Sequence, residues 1–199
     1  MEFTKFAPNA FKEIVFGAGF LCEDFDPATG VVTNILGSLD DSGFSFSDEW
    51  STVDLGENIA GCPRGTKELT LEDTDERNPH GSGTFVTVSA ERIAQLVGGA
   101  DSETTSGVTK ITPRELAQTD FLDEVWFVSN YGEYHIGTAT AGCIAIRMMN
   151  VLNVGGFSFA TANKDKGTFA FDYKAHRSIN TPNEIPYEIY VKNGSAPTP

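Results

Sequence analysis

Alternating apolar and polar residues recur along this chain and predict a protein built mainly from β-strands. The clearest alternation lies near the carboxyl end, over Phe157–Phe159, Phe169–Tyr173 and Glu184–Val191. Val125–Val128 is instead continuously apolar, which is typical of a central strand buried on both faces. Cys143–Met149 alternates again and predicts a strand whose isoleucines and Met148 point inward.

The first half predicts two strands followed by a long hairpin. Ile14–Cys22 and Val31–Leu36 are predicted strands joined by a turn at Asp26–Gly30, and Gly37–Gly43 is a predicted linker. The next predicted strand, Phe44–Leu55, changes its apolar phase between Trp50 and Val53, which indicates a bulge or the exit into an exposed arm. Gly56–Gly65 is then a predicted turn-rich loop, and Thr66–Asp73 a predicted return strand.

The middle of the chain contains one convincing helix, Ala90–Val97. Ser89 can cap its amino end, Glu91 lies in its first turn, and Gly98-Gly99 can end it.

The segments around this helix carry turn and loop signals. The predictions are a turn-rich stretch at Asp73–Gly83, a strand at Thr84–Val88, a polar loop at Asp101–Gly107, and a short helical turn begun by the capping box Thr112–Glu115.

Together these segments predict a single domain over residues 1–199, mainly β, with about ten strands. We expect two packed antiparallel sheets, a sandwich or barrel-like arrangement, with one flanking α-helix. Residues 1–12 form a predicted arm with aromatic residues at Phe3, Phe6 and Phe11, and 193–199 a predicted mobile tail.

Charge narrows the possible partners. The chain carries a formal net charge of −14, and residues 1–105 hold 19 acidic against 6 basic side chains. Direct phosphate binding is disfavoured because it requires cationic neutralisation. A solvated acidic face and a functional acidic surface both account for this imbalance.

Cysteine number and terminal composition bear on the compartment. Cys22, Cys62 and Cys143 are odd in number and lack metal-ligand spacing, so we expect three reduced thiols. No secretion signal and no apolar run long enough to span a membrane are visible.

No motif predicts catalysis, a cofactor or a metal. Asp24 and Asp26 faintly suggest a calcium loop, but Ile35 stands where a bidentate glutamate is required. The acidic run Glu72–Glu76 is expected to be solvated. His80, His135 and His176 show no metal-ligand spacing, so solvated or packed histidines are favoured.

Several segments, in this order and spacing, resemble a major tail tube protein of long-tailed bacteriophages. The resemblance covers roughly residues 10–192 and is carried by Gly43–Glu57, Thr66–Leu71, Gly83–Gly99, Asp123–Val128, Gly142–Asn150, Asn153–Phe159, Lys166–Tyr173 and Glu184–Val191. The order and spacing of these segments carry the resemblance, and the family has no catalytic residues to assign to positions in this chain.

The resemblance implies a structural virion protein that is not an enzyme and has no cofactor. Six copies would form a ring by continuing their sheets from subunit to subunit, and rings would stack into a tube through which DNA passes without specific binding. Such a ring would carry −84, which favours sliding of DNA. Tape-measure, tail-tip and tail-terminator proteins are implied partners, with assembly in the host cytoplasm and no membrane.

The resemblance further implies an extended loop, about Trp50–Lys67, that reaches a neighbouring subunit or ring. Its glycine-rich, charged sequence holds too little apolar content to bury itself within one sandwich. The candidate inter-subunit residues are Trp50, Val53, Asp54, Leu55, Glu57, Ile59, Arg64 and Lys67.

A second class of function also fits the pattern. A β-sandwich decoration or carbohydrate-binding module on a virion or cell surface could use exposed loop aromatics to stack on glycans. Electron microscopy separates the two, since such a module gives small particles and a tube protein gives rings or filaments.

Overall fold

The computed structural model describes residues 13–54, 72–132 and 141–195. These contain ten strands, one α-helix and one short 3₁₀-helix, which confirms the predicted mainly β fold with a single α-helix. The elements are β1 (Val15–Phe25), β2 (Val32–Asp54), β3 (Glu72–Thr87), α1 (Ala90–Val97), β4 (Ala100–Thr105), β5 (Val108–Pro113), the 3₁₀-helix (Gln118–Asp120), β6 (Leu122–Tyr131), β7 (Cys143–Asn153), β8 (Ser158–Ala160), β9 (Thr168–Ala175) and β10 (Tyr187–Lys192).

Eight of the strands form one antiparallel sheet in the order β10-β7-β6-β1-β2-β3-β9-β8. An additional pairing between β7 and β9, over Val151–Asn153 and Tyr173–Ala175, joins six of them into a closed ring. The sheet therefore folds back on itself, with β10 and β8 at its two ends. Strands β4 and β5 form a separate two-stranded sheet.

The main core lies inside this curved sheet. Phe44 stacks on Phe127 and Phe85 on Phe171, each with ring centroids 4.4 Å apart. The buried members of the core are Leu21, Leu36, Phe85, Leu96, Val125, Met148, Val151, Phe171, Tyr173 and Ala175.

A second apolar cluster covers the opposite face of β1, β6 and β7. Trp126 packs edge-on against Phe25, with ring centroids 5.6 Å apart, and Cys22, Val128 and Ala145 complete the buried set. Alternate residues of β6 therefore enter different clusters, which confirms that Val125–Val128 is a strand buried on both faces.

Strand β7 divides its side chains between the two clusters in the same way. Ile146 and Met148 join the main core as predicted, whereas Cys143 and Ala145 join the second cluster. Ile144 lies on the same face as Ile146 and is likewise partly buried.

The predicted helix is confirmed with its predicted bounds. The Ser89 hydroxyl accepts a hydrogen bond from the Arg92 backbone N–H at 3.3 Å, and Gly98 ends the helix with φ +94°. Asn153 ties this helix to the sheet: its amide donates to the Leu96 carbonyl at 2.7 Å and accepts from the Asp172 N–H at 2.8 Å. The buried polar side chain is thus satisfied on both sides.

The predicted linker Gly37–Gly43 is wrong, because these residues belong to the continuous strand β2. The pairing of β2 with β3 shifts register between Leu39 and Phe44, and Gly43 has φ +73°. Glycine adopts this conformation without the clash of a Cβ atom. The turn signals therefore mark a bend inside a strand.

The predicted turns at Asp73–Gly83 are also wrong, since this stretch lies in β3. The described residues place Gly81 under the main core, where a Cβ atom would lie 2.6 Å from the Phe44 ring and 2.9 Å from Met148. Glycine is needed here for close packing of two layers, which local sequence does not reveal.

The predicted polar loop Asp101–Gly107 is a hairpin formed by β4 and β5, turning at Ser106-Gly107, which both have positive φ. The predicted helical turn at Thr112–Glu115 is wrong as well. Pro113 ends β5, and Arg114 binds Asp101 at 2.8 Å and Asp120 at 2.6 Å. These ion pairs hold the segment in a non-helical conformation.

Candidate assembly surfaces

Strand β2 crosses the layer formed by β1, β6, β7 and β10. Gly43 lies against Ala18 of β1, Phe44 stacks on Phe127 of β6, and Phe46 packs on Tyr187 of β10 with ring centroids 5.0 Å apart. These contacts follow the order of the strands in the sheet. The hairpin of β2 and β3 therefore continues past β10, at one end of the sheet.

A polar cluster lies where this hairpin passes β10. Arg77 of β3 pairs with Asp48 of β2 at 2.6 Å, and the Tyr187 hydroxyl donates to the same Asp48 oxygen at 3.0 Å. Arg77 also lies over the Trp50 ring, 5.7 Å from its centroid. We call Asp48, Trp50, Arg77 and Tyr187 the crossing cluster.

The crossing cluster is partly shielded from water. The side chain of Asp48 is 8% exposed and that of Arg77 is 21% exposed. No described group donates a hydrogen bond to Asp48 Oδ1. Burial, followed by the hydrogen bond to the Asp48 carboxylate, raises the pKa of the Tyr187 phenol. The phenol therefore stays a hydrogen-bond donor over the usual pH range.

The structure places three of the eight candidate loop residues on the hairpin. Trp50, Val53 and Asp54 belong to β2, and the Trp50 side chain is 57% exposed. The pairing with β3 shifts register between Ser51 and Thr52, which confirms the predicted bulge. Leu55, Glu57, Ile59, Arg64 and Lys67 lie outside the described residues, as does the predicted loop Gly56–Gly65.

Strand β10 offers a long free edge. It pairs with β7 along its full length, and within the described residues no strand pairs with its other side. Ile189 and Val191 lie on the same face as Tyr187 and are 55% and 54% exposed. Unpaired backbone groups beside half-exposed apolar side chains favour pairing with another chain.

The opposite end of the sheet is the three-residue strand β8. Its Phe159 packs on Phe169 of β9 with ring centroids 4.8 Å apart and remains 53% exposed. Phe157, just before β8, is 47% exposed. The sheet thus ends in apolar surface on both sides.

Sequence reasoning missed the crossing cluster and the free edge. One signal was present for the cluster: Asp48 follows Phe44 and Phe46 in the same alternating phase, which places a carboxylate on the core side of the strand. The free edge left no such signal, because it depends on which strands pair.

The described part of the chain contains no group of three or more His, Cys, Asp or Glu side chains able to hold a metal ion. His80 Nδ1 lies 2.9 Å from Asp172, and His176 Nδ1 lies 3.1 Å from the Asn150 carbonyl. His135 lies outside the described residues. No helix among the described elements is long and apolar enough to cross a membrane.

The two described cysteines, Cys22 and Cys143, are free. Burial raises the pKa of the Cys22 thiol to about 12 and raises that of Cys143 as well. Because the thiolate is the reactive form, Cys22 should alkylate at least about a hundredfold more slowly in the folded protein than after unfolding. Cys62 lies outside the described residues.

Mass spectrometry after alkylation checks this expectation. Protein denatured without reductant should carry three adducts, one for each cysteine of the chain. Two sulfurs that resist alkylation until reductant is added would reveal a disulfide and contradict the prediction.

A scan against models of known protein families and a search of curated proteins found no match to this chain.

Proposed function

We propose that this protein assembles into stacked, hexameric rings that form the tail tube of a long-tailed bacteriophage and conduct DNA. The observation that carries the proposal is the free edge of β10 beside the hairpin that projects past it. Both features offer backbone and side-chain groups to a second copy. The protein acts through these surfaces and not as an enzyme.

The edge of β10 lacks the protection that solitary edge strands usually have. A lysine often guards such an edge, but the Lys192 amine is bound to the Ala28 carbonyl of its own subunit at 2.8 Å. Glu188, the only other charged residue of β10, forms an ion pair with Arg147 at 3.2 Å. Pairing of this edge with a neighbouring subunit would continue the sheet around a ring.

The projecting hairpin supports the same arrangement. The crossing cluster anchors the hairpin to β10 at Asp48, and β2 continues from there to Asp54, beyond the free edge. In a ring, this loop meets the subunit that pairs with β10 or the ring above it. We assign the eight candidate loop residues to that contact.

The distribution of charge suits a conduit for DNA. Four of the described arginines are engaged with carboxylates: Arg77, Arg92, Arg114 and Arg147. Such pairing leaves few cations for phosphate in a chain of net charge −14. DNA would therefore slide through the lumen without being held.

Other components of the virion complete the proposal. A tube of this kind needs a tape-measure protein to set its length, a tip from which to grow and a terminator to stop. We place the protein in the virion tail after assembly in the host cytoplasm.

The test replaces Ile189 by lysine, which puts a charge on the apolar face of the free edge. Ile189 is half-exposed, so the subunit should keep its fold, whereas burial of the charge in an interface should raise the concentration needed for assembly by at least about tenfold. Negative-stain electron microscopy and light scattering over a concentration series measure the result. Val108→Lys is the matched control, since Val108 is 70% exposed on the β4–β5 hairpin.

Rings or filaments of the unsubstituted protein, lost in Ile189→Lys and kept in Val108→Lys, support the proposal. Small particles of the unsubstituted protein at every concentration, even with tail-tip components added, contradict it and favour the surface module. Normal assembly of Ile189→Lys would show that β10 is not part of the interface between subunits.

A further inference from the structure

The chain contains a single Asn-Gly pair, Asn193-Gly194, which lies directly after the last described strand. The ladder between β7 and β10 ends with the pairing of Cys143 and Lys192, so the peptide group that joins Asn193 to Gly194 lies outside the ladder. Asn193 is exposed to water. Its side-chain amide is therefore accessible, and the backbone next to it is not fixed by strand pairing.

The other asparagines of the chain differ from Asn193 in the residue that follows them, and some differ in burial as well. Asn153 is 6% exposed, and its amide donates to the Leu96 carbonyl at 2.7 Å. Three further asparagines are exposed and lie outside strands, but lysine, threonine and glutamate follow them: Asn163, Asn180 and Asn183. Exposure is thus combined with a following glycine at Asn193 alone.

A following glycine favours attack of its backbone nitrogen on the asparagine side chain. Gly194 has no Cβ atom to block the approach, and its backbone rotates more freely than that of other residues. A bond forms between Gly194 N and Asn193 Cγ, and the side-chain nitrogen leaves as ammonia with the proton that Gly194 N loses. Water then opens the cyclic succinimide at either carbonyl, which leaves aspartate or isoaspartate. No electrons are transferred, and water is the only co-reactant.

We infer that Asn193 is a site of spontaneous deamidation in the folded subunit. The reaction adds a negative charge directly after β10, at the end of its free edge. Isoaspartate also lengthens the main chain where it is closely packed, since a Cβ atom at Gly142 would lie 2.8 Å from the Gly194 nitrogen. The reaction needs one subunit only, so the inference does not depend on the proposed tube.

The test incubates the protein in mildly alkaline buffer made with ¹⁸O-labelled water, at a concentration where it is monomeric. Peptide mass spectrometry should show the peptide containing Asn193 converting into two products of equal mass that carry ¹⁸O and separate on chromatography. Asn163, Asn180 and Asn183 are internal controls and should convert at least about tenfold more slowly, because a side chain follows each of them. The rate at Asn193 should stay within about tenfold of the rate in urea-unfolded protein, because no ladder holds the segment.

Two variants test the assigned chemistry. Gly194→Val places a β-branched side chain beside the attacking nitrogen, and Asn193→Gln keeps the amide but moves its carbon further from that nitrogen. Each should lower the rate at position 193 by at least about tenfold. Conversion in urea alone would show that the fold protects the segment and would overturn the inference. Equal rates at the internal controls, or an unchanged rate in both variants, would overturn it as well.

Discussion

Replacement of Phe85 by alanine should lower the free energy of unfolding by about 3–5 kcal/mol. Phe85 is 1% exposed and stacks on Phe171 with ring centroids 4.4 Å apart. Gly37 lies against the same ring, where a Cβ atom would come within 2.9 Å, so the surrounding backbone is already closely packed. A rigid site of this kind collapses little around a cavity, which places the cost toward the upper end.

Urea denaturation followed by circular dichroism measures the effect at a concentration where the protein is monomeric. Phe157→Ala is the matched control, because Phe157 is 47% exposed and should cost about 1 kcal/mol or less. Equal losses for the two variants would contradict the described core.

Replacing the loop between β2 and β3 by a two-residue turn should abolish assembly and leave the subunit folded. Asp54 pairs with Glu72 in register, so residues 55–71 can be replaced by Asn-Gly, a sequence suited to a two-residue hairpin turn. The change removes Leu55, Glu57, Ile59, Arg64 and Lys67 but keeps Trp50, Val53 and Asp54. The melting temperature of the monomer should stay within a few degrees, because the main core is untouched.

A second variant separates loop length from loop chemistry. It replaces residues 55–71 by the same number of glycines and serines, and it too should fail to form rings if the side chains make the contact. Electron microscopy at matched protein concentrations shows whether each variant forms rings. Normal rings from the shortened protein would show that the loop is an ordinary surface excursion.

Elements with local signals were predicted well from the sequence. The helix was located to the residue because Ser89 and Gly98 determine its ends through contacts within the helix itself. The bulge near Trp50 was found because a change of apolar phase marks the same residues that shift register in the pairing. Alternation also identified the strands of the carboxyl half.

The errors share a physical cause: the same residues serve turns and tertiary packing. Gly81 and Gly43 suggested turns, but one makes room for the Phe44 ring and the other bends a strand. The β4–β5 hairpin was mistaken for a loop because it is solvated on both faces and so lacks apolar alternation. Which layers of the fold pack against each other depends on residues far apart in the sequence, so a local pattern does not reveal it.

The candidate site was predicted only in part for the same reason. The hairpin and its bulge were visible along the chain, whereas the crossing cluster joins Asp48 to Tyr187 across 139 positions. The free edge of β10 follows from the pairing of every other strand.

Because Tyr187 and β10 lie so far along the chain from Asp48, the edge of β10 forms late in synthesis. Chains emerge from the ribosome amino end first, and β10 is the last described strand. Its edge, with Ile189 and Val191, is created only when β10 docks beside β7 and Tyr187 reaches Asp48. Neighbouring nascent chains on one messenger RNA therefore cannot join through this edge, and competence to polymerise arrives with the completion of the fold.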